Sequence, residues 1–215
     1  MLVIVTGIAS IVIGYLLGSI PGAYIISKLC KGIDIRKVDT GNVGTASTMR
    51  AIGVWQGIVV LMIDIGKGAV AVAMAQALGV SLPWVMAAGF AAFMGHNFPL
   101  YIGFKGGQGV ATIIGVFLVL TFWATIASLI IIGTVMLISW RKVLYRIFFA
   151  ILIGGPLLPV FIWVFYGLLS LPNKYGWLEL VIFSFFCIMF LIIKNWRSVR
   201  KPLQTTIDNS KKTCR

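Results

Sequence analysis

The sequence predicts an all-α integral membrane protein with seven transmembrane helices, the N-terminus outside and the C-terminus cytoplasmic. Three observations predict it. The 215-residue chain is 60% hydrophobic and 11% charged, with a mean hydropathy of +1.05. Apolar runs of about 18 residues or more, the length that crosses a hydrocarbon core, recur along nearly the whole chain. The basic residues sit in short segments beside these runs and in the tail, in the positive-inside arrangement. Long unbroken runs exclude a β-barrel, whose strands alternate apolar and polar residues.

The first span covers residues 2–27 and carries Gly14 and Gly18-Ser19 at small-xxx-small spacing, which lets a second helix approach closely. It has no basic leader and no small-residue cleavage site before Lys28, so it is expected to be retained rather than removed as a signal peptide. Residues 28–53 form a polar loop with Lys28, Lys31, Arg36, Lys37 and Arg50, which belongs in the cytoplasm. The second span, Trp55–Leu78, holds Asp64 and Lys67 three apart on one helical face. Ionisable groups at that depth face a bundle interior or cavity, and two readings stand: an ion pair that fixes packing, or a catalytic pair. An uncharged outer turn at 79–83 leads to the third span, Leu82–Leu100. The fourth run, Val110–Leu120, is short, either a half-span or a span that starts in the preceding loop. The fifth covers Phe122–Trp140, with Arg141, Lys142 and Arg146 marking the inside. The sixth covers Ile147–Leu169 and the seventh Trp177–Ile193, with Pro172-Asn173-Lys174 outside between them. Residues 1–196 then make a single polytopic membrane domain, and 197–215 a basic cytoplasmic tail. Only Lys174 among the basic residues falls in an outer loop.

A net charge of +13 raises the question of nucleic acid. No basic face is interleaved with exposed aromatics, so no nucleic-acid partner is expected, and membrane lipids with anionic headgroups are the better match. Cys30, Cys187 and Cys214 are scattered, without CxxC or metal-ligand spacing, so neither a disulfide framework nor a zinc site is expected.

Chemistry concentrates between His96 and Thr112. This stretch holds the single histidine, then Lys105-Gly106-Gly107-Gln108-Gly109. Bare glycine backbone adopts positive φ and approaches a ligand closely, so successive N–H groups converge on an anion. Lys105 adds a point charge suited to phosphate. A flexible interhelical turn is the plainer reading. The 28–53 loop repeats the theme with Thr40-Gly41-Asn42-Val43-Gly44, rich in turn formers and hydrogen-bonding side chains, and with Arg50 as a possible bidentate phosphate clamp.

These motifs, in this order, resemble those of the PlsY-type acyl-phosphate:glycerol-3-phosphate acyltransferases of bacterial membranes. The resemblance runs through Gly18-Ser19-Ile20-Pro21 with Tyr24 and Lys28, and Gly32-Ile33-Asp34-Ile35-Arg36. It continues through Gly41-Asn42-Val43-Gly44, Arg50 with Gly53, and Asp64 with Lys67-Gly68, to the His96–Thr112 stretch. It implies a multi-pass enzyme of the cell inner (plasma) membrane, with a cytoplasmic site built from the loops after the first, third and fifth spans and from the C-terminal segment. It implies transfer of a fatty acyl chain from acyl phosphate to glycerol-3-phosphate, giving lysophosphatidic acid and phosphate, without nucleotide, coenzyme A or metal.

The chain also departs from that pattern. Thr40 stands for the family's Ser, Thr45-Ala46-Ser47 for Ala-Thr-Asn, Gln108 for Lys, Leu144 for Ser, and Asn195–Val199 lacks the family's His and Asn. These changes favour an alternative in which a paralogue with a switched acceptor, or without catalysis, binds phosphorylated lipid precursors.

On the enzyme reading, direct attack by an acceptor hydroxyl suffices because the carboxyl is already activated. The chain's part is positioning and charge neutralisation. Lys105, His96 and Asn42 are the candidate catalytic residues, and Thr40, Gly41, Gly44, Arg50, Gly106, Gly107 and Gly109 the candidate substrate-binding ones. His96 is the general base by residue type, or else a loop-holding side chain. Ser27, Ser47 and Ser198 carry no nucleophile signature, which disfavours a serine hydrolase. A transporter needs a polar path outward, and only Lys174 and Glu179 break the apolar outer halves.

Overall fold

The computed structural model describes residues 2–38, 41–138 and 156–194, and among them every regular element is helical. The chain divides into two compact units, residues 1–122 and 123–215.

The first unit begins with α1, Leu2–Gly18, and α2, Gly22–Lys31. The expected first span is therefore one long apolar stretch with a break at Ser19–Pro21. Pro21 is the cause: it has no N–H to continue the helical ladder. Ser19 reinforces the ending, since its backbone N–H and its hydroxyl both donate to the Tyr15 carbonyl, at 2.9 and 2.8 Å. The C-terminal end of α2 is closed by Gly32 in the left-handed conformation, φ 65°, where its N–H reaches the Lys28 carbonyl.

A 3₁₀ turn, Ile35–Lys37, and a short helix, α3, Thr45–Ala51, occupy the loop expected at 28–53. Then come α4, Val54–Ala77, α5, Leu82–Asn97, and α6, Val110–Leu120. The unit is held by backbone-to-backbone approaches that only small residues allow. On α1, Gly14 and Gly18 face the Ala88 and Ala92 carbonyls of α5, and Gly95 of α5 faces the Tyr15 carbonyl in return. Gly68 of α4 meets the Thr112 carbonyl of α6, and Gly115 of α6 meets the Ile65 carbonyl. The small-xxx-small spacing in α1 is thus a packing seam, and α5 is its partner. A side chain at Gly18 drives α1 off α5, so Gly18→Leu is expected to cost about 3 kcal/mol and to lower the thermal midpoint of the purified protein clearly.

The second unit contains α7, Phe122–Ile138, which starts at the unit boundary, then α8, Pro156–Leu168, and α9, Trp177–Lys194. The last turns of α8, Trp163–Leu168, widen into a π-helix. Leu158, Ile162, Leu180, Phe183 and Leu191 are buried, while Phe185, Phe186, Met189 and Ile193 are exposed. Together with the outward Val3, Ile4, Ile8 and Val12 of α1, this much exposed apolar side chain needs lipid rather than water.

Three helical stretches among the described residues are long and apolar enough to cross a membrane: Leu2–Lys31, Val54–Ala77 and Trp177–Lys194. The remaining apolar helices are shorter. α6 has 11 residues and so rises only about 16 Å, roughly half a hydrocarbon core. It ends at Thr121, whose backbone N–H returns to the Phe117 carbonyl at 2.7 Å. Residues 147–155 of the expected sixth span, the basic cluster at Arg141–Arg146, Leu144, and the tail from Asn195 lie outside the described residues.

Candidate active site

A buried charge cluster lies beside the break in the first span. Asp64 and Lys67 are one turn apart on α4, with Lys67 Nζ 2.8 Å from Asp64 Oδ1 and side chains only 5% and 3% exposed. An ammonium in apolar surroundings needs all the partners it can reach. Lys67 finds a second in the Ile20 carbonyl at the Pro21 break, 3.1 Å away. His96, on the last turn of α5, joins the same carboxylate oxygen, its Nδ1 3.4 Å from Asp64 Oδ1. The Asp64–Lys67 pair packs α4 against the break and also touches the histidine.

A narrow cavity opens here, bordered by Pro21, Val43, Asp64, Lys67, His96 and Gly106. The glycine loop forms its other wall. Phe104 at φ 60° and Gly103 at φ 73° turn the chain back under α5, with the Phe104 N–H on the Pro99 carbonyl at 2.9 Å. The Gly107 N–H then donates to the His96 carbonyl at 3.2 Å. Gly107 is wedged between the His96 Nε2 and the Val43 carbonyl, so a Cβ there overlaps both. Gly106 is pressed in the same way on the His96 and Asn97 carbonyls. Gly109, at φ 83°, is the N-cap of α6, and a Cβ there would overlap the Phe93 ring.

The first loop arrives from the other side. Gly41 has φ 72°, and α3 starts after Gly44, whose carbonyl takes both the N–H and the hydroxyl of Thr48. The Gly41–Gly44 and Gly106–Gly109 segments therefore do come together, at Val43 and Gly107, with His96 between them. The Asn42 amide lies along this segment, 3.9 Å from a Cβ built on Gly44. Lys105 is exposed on the loop. Arg50 is exposed too, and its guanidinium reaches the Ser47 hydroxyl at 3.5 Å, a serine at a position where the resembled pattern has Asn. Thr40 lies outside the described residues.

One contact set escaped the sequence reading. Arg36 forks onto Asp34, with Nη2 to Oδ2 at 2.7 Å and Nε to Oδ1 at 3.0 Å. Its remaining arm, Nη1, donates to the Ile102 carbonyl at 3.1 Å, and the guanidinium lies 5.0 Å over the Tyr24 ring. Arg36 thereby ties the first loop to the turn that carries the glycine loop. The sequence shows Asp34 and Arg36 two residues apart, but it carries no sign of a carbonyl 66 positions on. The guanidinium holds the Asp34 carboxyl down at about 2. A carboxyl depressed in the folded state contributes stability above its ordinary value and loses it as the pH falls through the depressed one. The melting difference between wild type and Arg36→Leu is therefore expected to be constant from neutral pH down to about pH 4, and to shrink as the pH approaches about 2.

An all-helical, lipid-facing chain whose buried charges open onto a paired glycine loop defines an integral membrane protein with a polar site at one end of its first helical unit. The family model "Glycerol-3-phosphate acyltransferase" matches residues 8–205, and the chain belongs to that family. It is similar to the glycerol-3-phosphate acyltransferase of Shouchella clausii, 49% identical over 121 residues, 55% of this chain and 59% of that protein. The corresponding protein of Anaeromyxobacter sp. (strain K) is 44% identical over 121 residues, 54% of this chain and 60% of the relative. The chain thus spans about 60% of the length of these curated relatives. Over nearly full length, 93% of this chain and 92% of the other, the fold is similar to the crystal structure of PlsY, an integral membrane glycerol 3-phosphate acyltransferase, in its glycerol 3-phosphate form. The TM-score is 0.76 at 27% identity. The lysophosphatidic acid form of PlsY matches with a TM-score of 0.71 at 26% identity.

Proposed function

We propose that this chain transfers a fatty acyl group from acyl phosphate to the first hydroxyl of glycerol-3-phosphate, releasing lysophosphatidic acid and inorganic phosphate. The observation that carries this reading is the convergence of both glycine segments on His96, at Val43 and Gly107. The family membership and the resemblance to PlsY in forms with this acceptor and this product support the same chemistry.

The acceptor hydroxyl attacks the acyl carbonyl carbon as His96 Nε2 takes its proton. The carbon–oxygen bond to phosphate breaks, and phosphate leaves with the electron pair. Backbone N–H groups of Gly106, Gln108 and Gly109 and of the first turn of α6, with Lys105 and Asn42, hold the leaving phosphate and neutralise its growing charge. Arg50, with Gly41, Gly44 and Thr40, holds the acceptor's phosphate. The acyl chain lies among the apolar helices. In this reading the chain crosses the plasma membrane seven times, with the N-terminus outside and the site and basic tail in the cytoplasm, the arrangement that the basic residues favour.

A donor panel tests the reading. Purified, lipid-reconstituted protein given palmitoyl phosphate and glycerol-3-phosphate is expected to release phosphate and form lysophosphatidic acid, and to form no lysophosphatidic acid when palmitoyl-coenzyme A replaces the donor. Phosphate release only with a different acceptor indicates that the changed positions at Thr45–Ser47 and Gln108 have switched the acceptor.

A further inference from the structure

The second glycine loop hangs from a turn, residues 98–104, that has little packing of its own. Phe98, Leu100, Tyr101, Gly103 and Phe104 are exposed, and within the turn only Pro99 and Ile102 are buried. Its last step is strained as well. Phe104, directly before Lys105, stands at φ 60°, a left-handed conformation that a bulky side chain keeps only where its surroundings impose it. Exposed segments with few buried contacts open easily unless groups from elsewhere tie them down.

Two side chains from the first 36 residues do so, near opposite ends of the turn. The Tyr15 hydroxyl of α1 donates to the Phe98 carbonyl at 2.8 Å, and Arg36 Nη1 donates to the Ile102 carbonyl at 3.1 Å. Between them the Phe104 N–H closes on the Pro99 carbonyl. We propose that Tyr15 and Arg36 are positioning residues that clamp this turn at both ends and so set where Lys105 and the loop behind it stand. Both anchors are firm. Tyr15 sits on the α1–α5 seam, where Gly95 packs on its carbonyl, so its hydroxyl has a fixed register to the end of α5. Arg36 is held by both carboxylate oxygens of Asp34 and lies over the Tyr24 ring. Its neighbour Ile35 is buried in one cluster with Val43 and Ile102. The Val43 carbonyl is the group that meets Gly107. Arg36 is thus a strut from the first loop to the turn before the second, and it fixes the spacing of the two glycine segments. The functional half of the inference rests on the proposed role of Lys105 at the leaving phosphate; the clamp does not.

Hydrogen exchange read by mass spectrometry, on protein in lipid nanodiscs, separates the two halves. Peptides covering 98–109 report the Phe104 and Gly107 N–H groups, which are bonded in the turn. Tyr15→Phe deletes one hydroxyl and keeps the ring. Arg36→Lys keeps a charge for Asp34 but has no planar fork to reach two groups at once. Each variant is expected to speed exchange in those peptides at least about tenfold, while peptides from α4 and α5 keep wild-type rates. In the lysophosphatidic acid assay, kcat of each is expected to fall at least about tenfold. KM for glycerol-3-phosphate is expected to hold in Tyr15→Phe, whose lost bond lies on the side of the second loop alone. Unchanged exchange at 98–109 in the Tyr15→Phe/Arg36→Lys double variant overturns the clamp, whatever the activity. Exchange that rises equally in α4 and α5 is general destabilisation and overturns it as well. Faster local exchange with full kcat overturns the positioning role and leaves a structural clamp. Wild-type protein that forms no lysophosphatidic acid removes the proposed reaction instead, and the exchange rates still decide the clamp.

Discussion

Gly107→Ala is expected to lower turnover at least about 100-fold, the scale of loss that follows a displacement of about 1 Å in a positioned site. The added methyl meets the His96 Nε2 and the Val43 carbonyl together. Neither can retreat cheaply. The Val43 carbonyl is backbone in a segment held by Gly41 at positive φ, and the His96 ring is held at its other nitrogen by Asp64. The methyl therefore pushes the two glycine segments apart at the point where they meet. Steady-state assays should find the loss in kcat, and the thermal midpoint of the purified variant should fall as well, because the methyl meets buried groups that do not give way. Gly103→Ala is the contrast: nothing lies within 4 Å of its would-be methyl, and its cost is confined to backbone strain at φ 73°.

The second large effect falls on Lys105. Lys105→Ala is expected to remove at least about 100-fold of kcat, the cost of losing one charged donor to the leaving group. Lys105 is exposed, so its truncation leaves no buried partner behind and no packing defect. The folded protein, measured by size exclusion in detergent, should be indistinguishable from wild type. Lys105→Arg is expected to recover part of the activity, since it restores the charge but not the compact point geometry of an ammonium. Full activity in Lys105→Ala would move the phosphate off the second glycine loop.

How much of this was legible follows from the range of each interaction. The helices were legible because an apolar run carries its own evidence, and α4, α6 and α9 begin or end within a residue or so of the expected positions. The break at Ser19–Pro21 was present as a proline and a following glycine, yet the apolar residues on both sides read as one continuous span. The short α3 hid inside a polar loop because seven residues carry too little periodicity to stand out. In the site, the glycine segments announced themselves by composition, and Gly14 and Gly18 by spacing. Their partners did not. That the Ala88 and Ala92 carbonyls receive the α1 seam, that His96 touches Asp64, and that Arg36 reaches Ile102 are tertiary facts, set by how helices far apart in sequence are stacked. Arg50 was singled out by composition, and the fold adds what composition did not show, a contact of its guanidinium with the Ser47 hydroxyl.

The most direct test of the central claim is product analysis. Purified protein in liposomes would receive palmitoyl phosphate and labelled glycerol-3-phosphate, with Lys105→Ala alongside, and the lipid extract would be resolved by mass. The account predicts labelled lysophosphatidic acid that forms in step with phosphate release and disappears in the variant. Folded wild-type protein that leaves palmitoyl phosphate unconsumed with every polyol phosphate offered would contradict it.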